Sequence, residues 1–146
     1  MTVFVRNLQR STRIDRELLS RVATLALEWV GSRRDTIGVI LVNDRQMAEF
    51  NEKFHATTGA TDILTFDYPE LASGDLIISV ERASAQAKRY HTTGARELAL
   101  YVVHGILHLH GYDDRHPRQR RRMRAAERRV LGRLGNAFDL GKLVRL

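Results

Sequence analysis

The 146-residue sequence predicts an α+β fold in one domain, a small and mostly four-stranded sheet packed with about four helices. Three observations predict it. Apolar, β-rich runs of strand length recur at Thr36–Val42, Asp62–Tyr68 and Gly74–Val80. Stretches of helical period stand between and after them. No internal repeat and no linker divides the chain, so residues 1–146 read as a single unit.

Thr2 to Arg6 alternates apolar and polar side chains, the period of a strand with one buried face. From Asp15 to Trp29, the residues Leu18, Leu19, Val22, Leu25, Ala26 and Trp29 fall at helical spacing. Thr12 or Asp15 can cap this helix, and Gly31-Ser32 breaks it. Thr36–Val42 (Thr-Ile-Gly-Val-Ile-Leu-Val) is β-branched and apolar, as expected of a buried strand. Asn43 or Asp44 can cap a second helix carrying Met47, Phe50 and Phe54, and Thr57 to Ala60 reads as a loop. The strand at Asp62–Tyr68 is ended by Pro69, and Gly74–Val80 is the next strand. Helices follow from about Glu81 to Tyr90 and from Arg96 to His110. The second is mostly apolar and belongs in the core; Gly111 ends it. A last helix, rich in arginine, runs from Pro117 to about Leu134.

Cysteine is absent, which excludes disulfides, thiolate metal ligands and a cysteine nucleophile. Any transition metal must be held by His, Asp or Glu. The formal net charge of +7 favours a polyanionic partner. The N-terminus has no basic region followed by a long apolar core, so no signal peptide is expected. No stretch approaches the length of a membrane span. A cytoplasmic protein with no membrane partner fits these features.

The chemistry concentrates in His104-Gly105-Ile106-Leu107-His108-Leu109-His110-Gly111-Tyr112-Asp113-Asp114. His104 and His108 are four residues apart, which places them on one face of a helix with Cβ atoms about 5–6 Å apart. Two imidazoles so placed suit one tetrahedral zinc, at about 2.0–2.1 Å each. Gly111 lets the backbone turn sharply and bring a third ligand back towards the pair. Three protein ligands leave a coordination position open, the pattern of a catalytic rather than a structural site. His110 lies nearly opposite on the helix and reads as a structural or surface group.

This segment resembles the signature of the YbeY-type endoribonuclease family, the rRNA maturation factors, which runs His-Gly-x-Leu-His-Leu-x-Gly-Tyr-Asp-His. Thr61-Asp62-Ile63-Leu64-Thr65-Phe66 resembles the family's Thr-Asp-Val-Leu-Ser-Phe strand, and Gly74–Ser79 resembles the strand after it. Asn51-x-x-Phe54 is similar to the Asn-x-x-Tyr that precedes both. The resemblance implies a bacterial, cytoplasmic, metal-dependent endoribonuclease that prefers single strands. It also implies roles in rRNA processing at the 3′ end of the small-subunit rRNA and in ribosome quality control, with the small subunit or its proteins as partners. One Zn2+ per chain is expected, held by His104, His108 and the residue at the family's third histidine, here Asp114. His116, two residues on, is the alternative third ligand. A second departure is His55, where the family usually has an arginine thought to act on phosphate. His55 and Asp62 are the expected catalytic residues, the former as a phosphate contact or proton carrier.

A zinc peptidase would need His-Glu-x-x-His with the glutamate as general base, and that position is Gly105. Phosphodiester cleavage instead asks for a Lewis acid and nearby cations. Arg118, Arg120, Arg121, Arg122, Arg124, Arg128, Arg129 and Arg133 follow the histidine segment, with Glu127 as the only acid among them. Arg118, Arg121 and Arg122 are the expected RNA contacts. The competing expectation is a non-catalytic RNA- or ribosome-binding assembly factor whose metal is structural.

Overall fold

The structure is a computed structural model and describes residues 2–54 and 62–145. His55 and the expected loop at Thr57–Ala60 lie outside the described residues.

The main sheet has four strands in the order β1 (Thr2–Asn7), β3 (Thr36–Val42), β5 (Ser73–Ser79), β4 (Ile63–Tyr68). β1, β3 and β5 run parallel, and β4 pairs antiparallel with β5. β3 has a strand on each side, but its two faces differ. Ile37, Val39 and Leu41 are buried, whereas Thr36, Gly38 and Ile40 are half-buried on the less covered face, so the apolar run is not fully buried on both faces. Among the described residues there are five α-helices, one at each helical stretch of the sequence: α1 (Arg16–Val30), α2 (Asp44–Lys53), α3 (Val80–Tyr90), α4 (Gly94–Leu109) and α5 (Pro117–Ala137). A two-stranded ribbon pairs β2 (Arg13–Ile14) with β6 (Val144–Arg145). Two-residue strands carry no period, so the sequence gives no sign of this ribbon. It ties the end of the described chain to the start of α1, where Asp15 N–H donates to the Leu143 carbonyl at 2.9 Å and Arg145 meets the Asp15 carboxylate at 3.2 Å.

Local chemistry sets the helix ends. Asp15 caps α1 by accepting from Leu18 N–H at 3.0 Å. Asn43 and Gln46 form a reciprocal capping box at α2, with bonds of 2.8 and 2.9 Å. Thr93 caps α4 by accepting from Arg96 N–H at 3.1 Å, which moves the start of that helix back to Gly94. At its other end Gly111 takes φ +103°, Gly111 N–H donates to His108 O and Tyr112 N–H to Leu107 O. These two bonds are a Schellman motif, and they turn the chain back over the end of α4.

α4 is the central helix. Buried residues occur all round it, including Leu98, Val102, Val103, Ile106 and Leu107, as expected of a helix covered on every side. One side lies on β4 and β5, and the others face α1, α3 and α5. Gly105 makes the close approach to the sheet possible, because a Cβ there would come within 2.7 Å of Ile63 Cδ1 and of Leu76 Cδ2. The other face of the sheet is only partly covered. Met47 and Phe50 of α2 pack on Ile77, Leu64 and Phe66 at one end. At the other end an open groove of about 480 Å³ is lined by Phe4, Arg6, Gly38, Tyr68 and Asp75, among others.

Candidate metal centre

A helix advances about 100° per residue, so Glu97, Tyr101, His104 and His108 form one stripe along α4. The stripe divides into a buried part and an exposed part. Glu97 and Tyr101 are buried, His104 is half-buried and His108 is exposed.

His104 is oriented from α5. Its Nδ1 lies 2.7 Å from Glu127 Oε1, and the Glu127 side chain is itself only 15% exposed. With Nδ1–H donated to the carboxylate, Nε2 keeps its lone pair for a metal, the arrangement in which an outer carboxylate fixes tautomer and ring plane. Nε2 faces the turn after Gly111 and stands 3.9 Å from Asp114 Oδ2. Two donors on one tetrahedral zinc stand about 3.3–3.5 Å apart, given bonds of about 2.0–2.2 Å. The pair is therefore close to the spacing one ion needs.

The turn that presents Asp114 is held by its neighbour. Asp113 Oδ1 accepts from Asp114 N–H at 2.7 Å and from Arg115 N–H at 3.1 Å. Desolvation pushes the Asp113 carboxyl up, but those two backbone bonds, with the Arg115 and His108 charges, outweigh it and hold the group below the usual carboxylate range. Arg120 Nη1 donates to the carbonyls of Asp114 and Arg115, each at 3.3 Å. A cavity of about 220 Å³ opens here, lined by His104, Asp114, Arg120, Met123, Arg124 and Glu127.

Among the described residues, no three His, Asp or Glu side chains already stand close enough together to grip an ion. Seating one requires the exposed His108 and Asp114 side chains to turn towards His104 Nε2. The donor chemistry fits zinc: one imidazole is oriented, a carboxylate is near ligand spacing, and a second imidazole sits one turn along the same face. His116 is exposed at the N-cap of α5 and makes no capping bond. No described contact joins it to His104. His110 is exposed, away from the stripe, as its position two residues after His108 predicts.

Asp62 stands at the mouth of β4, beside the Tyr101 end of the stripe. Its carboxylate meets Arg82 Nε at 3.3 Å, and its carbonyl accepts from Ser79 N–H at 3.0 Å. The Tyr101 hydroxyl is buried and makes no well-formed hydrogen bond among the described residues. Burial, then the charges of Asp62 and Glu97, push its pKa well above the usual phenol value. His55 is outside the described residues, so its expected role is not placed.

Sequence reasoning missed two features. In the sequence Glu127 stands out only as a lone acid among arginines, and that isolation is the one available signal for a specific partner. Arg120 and Arg124 line the His104 cavity, whereas the expected contacts Arg118 and Arg121 are exposed elsewhere on α5 and Arg122 lines a different cavity.

A model of the family described as Endoribonuclease YbeY matches residues 4–135. A protein named Endoribonuclease YbeY from Pelotomaculum thermopropionicum is 34% identical, over 92% of this chain and 97% of its own length. One of the same name from Desulforamulus reducens is 35% identical, over 92% and 98%. A longer relative of that name from Myxococcus xanthus is 37% identical over 70% of this chain, a match spanning 38% of its own length. The solution structure of TM1509 from Thermotoga maritima shares the fold, with a TM-score of 0.64 at 23% identity over 92% of this chain and 93% of that one.

Proposed function

This chain belongs to the YbeY endoribonuclease family, and from that membership we propose that it is a zinc-dependent enzyme cutting single-stranded RNA in rRNA processing. Its expected setting is the bacterial cytoplasm, acting at the 3′ end of the small-subunit rRNA and in ribosome quality control, with the small subunit as partner. No helix among the described residues is long and apolar enough to cross a membrane. The observation that carries the reading is the His104 Nδ1 bond to Glu127, which leaves Nε2 aimed at Asp114.

His104, His108 and Asp114 would hold the zinc, which when bound supplies a Lewis acid beside the scissile phosphate. The chain's own residues do the rest. Glu127 keeps His104 in one tautomer and makes the neutral imidazole a better donor. Arg124 lines the cavity and offers a cation to phosphate oxygens, whose negative charge grows in the transition state. Arg120 holds the Asp114 carbonyl and so fixes the turn that carries the carboxylate. Asp62 and Arg82, paired at the other end of the stripe, shape the pocket wall there. A carboxylate ligand in place of a third imidazole lowers the net charge of the loaded site by one unit, which favours harder metals more than three imidazoles would.

The peptidase alternative loses its remaining ground. Gly105 faces Ile63 and Leu76 in the core, so no side chain at that position could reach a substrate. The relatives' names favour an enzyme over a non-catalytic RNA-binding factor. The test is cleavage of an unstructured RNA by the zinc-loaded protein and by His104→Ala. Strand scission by the wild type, lost in the variant, is expected. No scission by zinc-loaded wild type, or equal scission by both, overturns the reading.

A further inference from the structure

The arginines of α5 do not form one patch. At about 100° per residue, Arg120 and Arg124 lie on the side that meets His104. Arg118, Arg122, Arg129 and Arg133 are separated by four, seven and four positions, which keeps them within one stripe about 60° wide on another side. That second stripe runs about 22 Å along the helix axis.

It borders a groove with aromatic walls. One cavity, of about 320 Å³, is lined by His110, Tyr112, Asp113, Gln119 and Arg122, among others. Another, of about 200 Å³, is lined by Trp29, His110, Tyr112, Arg129 and Arg133, among others. His110 and Tyr112 belong to both, so the two cavities adjoin at these side chains and together make up the groove. The Arg122 guanidinium lies 5.8 Å from the Tyr112 ring centre and that of Arg133 lies 4.1 Å from the Trp29 ring centre. Among the described residues no carboxylate lies within ion-pair distance of Arg118, Arg122, Arg129 or Arg133. Asp113, the acid on the wall, is already engaged by Arg115 and by two backbone N–H groups.

Four cations without acidic partners, interleaved with half-buried aromatic rings, are the elements of a single-strand nucleic-acid track. The arginines meet phosphates, and bases stack on the aromatic and guanidinium planes. A duplex keeps its bases stacked on one another and cannot use such walls. Tyr112, on the groove wall, is two residues along the chain from Asp114 of the candidate metal centre, so the turn after Gly111 carries both. We propose that this groove is a second RNA-binding track, in which Arg122, Arg129, Arg133, Tyr112 and Trp29 hold single-stranded RNA leaving the His104 cleft. It rests on the reading of the site as acting on RNA, and it assigns the groove to holding the strand and the cleft to cutting it.

The test is equilibrium binding of labelled oligouridine to the full chain carrying His104→Ala, so that no strand is cut. Oligomers of about 4 and about 12 nucleotides are compared across a range of salt. Adding Arg129→Ala with Arg133→Ala should weaken the longer oligomer tenfold or more, leave the shorter one nearly unchanged, and reduce the salt slope by about 1.4. Trp29→Leu should weaken the longer oligomer without changing the slope, because it removes stacking and no charge. Thermal melting of each variant separates lost binding from lost folding, and Arg129→Lys with Arg133→Lys should keep most of the slope if the fold tolerates the change. Unchanged affinity in the double alanine variant overturns the proposal. So does a loss that Trp29→Leu does not share, which would mark a merely cationic surface. Failure of the endoribonuclease reading would look different: zinc-loaded wild type would cut nothing while these binding differences persisted.

Discussion

Glu127 on α5 holds His104 on α4 through a 2.7 Å contact between Oε1 and Nδ1, a bond that joins two helices and orients the proposed ligand at once. The carboxylate fixes the tautomer and makes the imidazole a better donor. Glu127→Ala should weaken zinc binding by about 10–100-fold, the usual effect of losing such an outer partner. Glu127→Gln keeps an acceptor for Nδ1–H but loses the charge, so it should fall between the two. Competition against a chromogenic chelator measures all three. An alanine variant that binds zinc as tightly as wild type would show that the bond serves packing alone.

Asp114 and His116 make opposite predictions for metal content. Asp114 Oδ2 is 3.9 Å from His104 Nε2, whereas His116 sits exposed at the N-cap of α5. Mass spectrometry of zinc-loaded proteins should find about one zinc per chain in wild type and in His116→Ala, and little in Asp114→Ala. Retention by Asp114→Ala with loss in His116→Ala would move the third ligand to the histidine.

The parts of the fold legible in the sequence were those with a period. The strand at β3, a cap at Asn43 or Asp44 and the break at Gly111 all follow from local chemistry, and the structure bears them out, with Asn43 as the cap. The histidine pair was legible because four residues is one helical turn. The Glu127–His104 bond was not, because it spans 23 positions between two helices, and only their packing decides which side chains meet. The arginine run was visible as charge, but its division into two stripes needed the orientation of α5 against α4. The β2–β6 ribbon was too short to have any pattern.

Gly105 tests the packing side of the account. A Cβ there would meet Ile63 Cδ1 and Leu76 Cδ2, each at 2.7 Å. Both are side-chain ends, so they have some room to move, but they sit in a closely packed core. Gly105→Ala should cost about 1–3 kcal/mol of stability through overpacking. Part of that is offset because alanine is the better helix former by about 1 kcal/mol. Urea unfolding of the two proteins measures the difference. A variant more stable than wild type would mean that α4 shifts off the sheet at no cost, and that the glycine is not there for close approach.

Asp75 should make stability fall as pH rises. It stands opposite Gly38 in the β3–β5 register, and the missing side chain of Gly38 leaves room for its carboxylate. Burial raises the carboxyl above its ordinary value, and a hydrogen bond from Tyr68 offsets only part of that. The native state therefore binds this proton more tightly than the unfolded chain, whose carboxyl titrates near 3.9. Below that value the group is neutral in both states and imposes no penalty. As pH rises from there through the raised native pKa, ionisation favours the unfolded chain and stability is lost. Asp75→Asn keeps the shape and removes the charge. Its stability relative to wild type should increase across that window and level off above it, as followed by urea unfolding at a series of pH values. A difference that stays constant with pH would show that the Asp75 carboxyl titrates alike in the folded and unfolded chain.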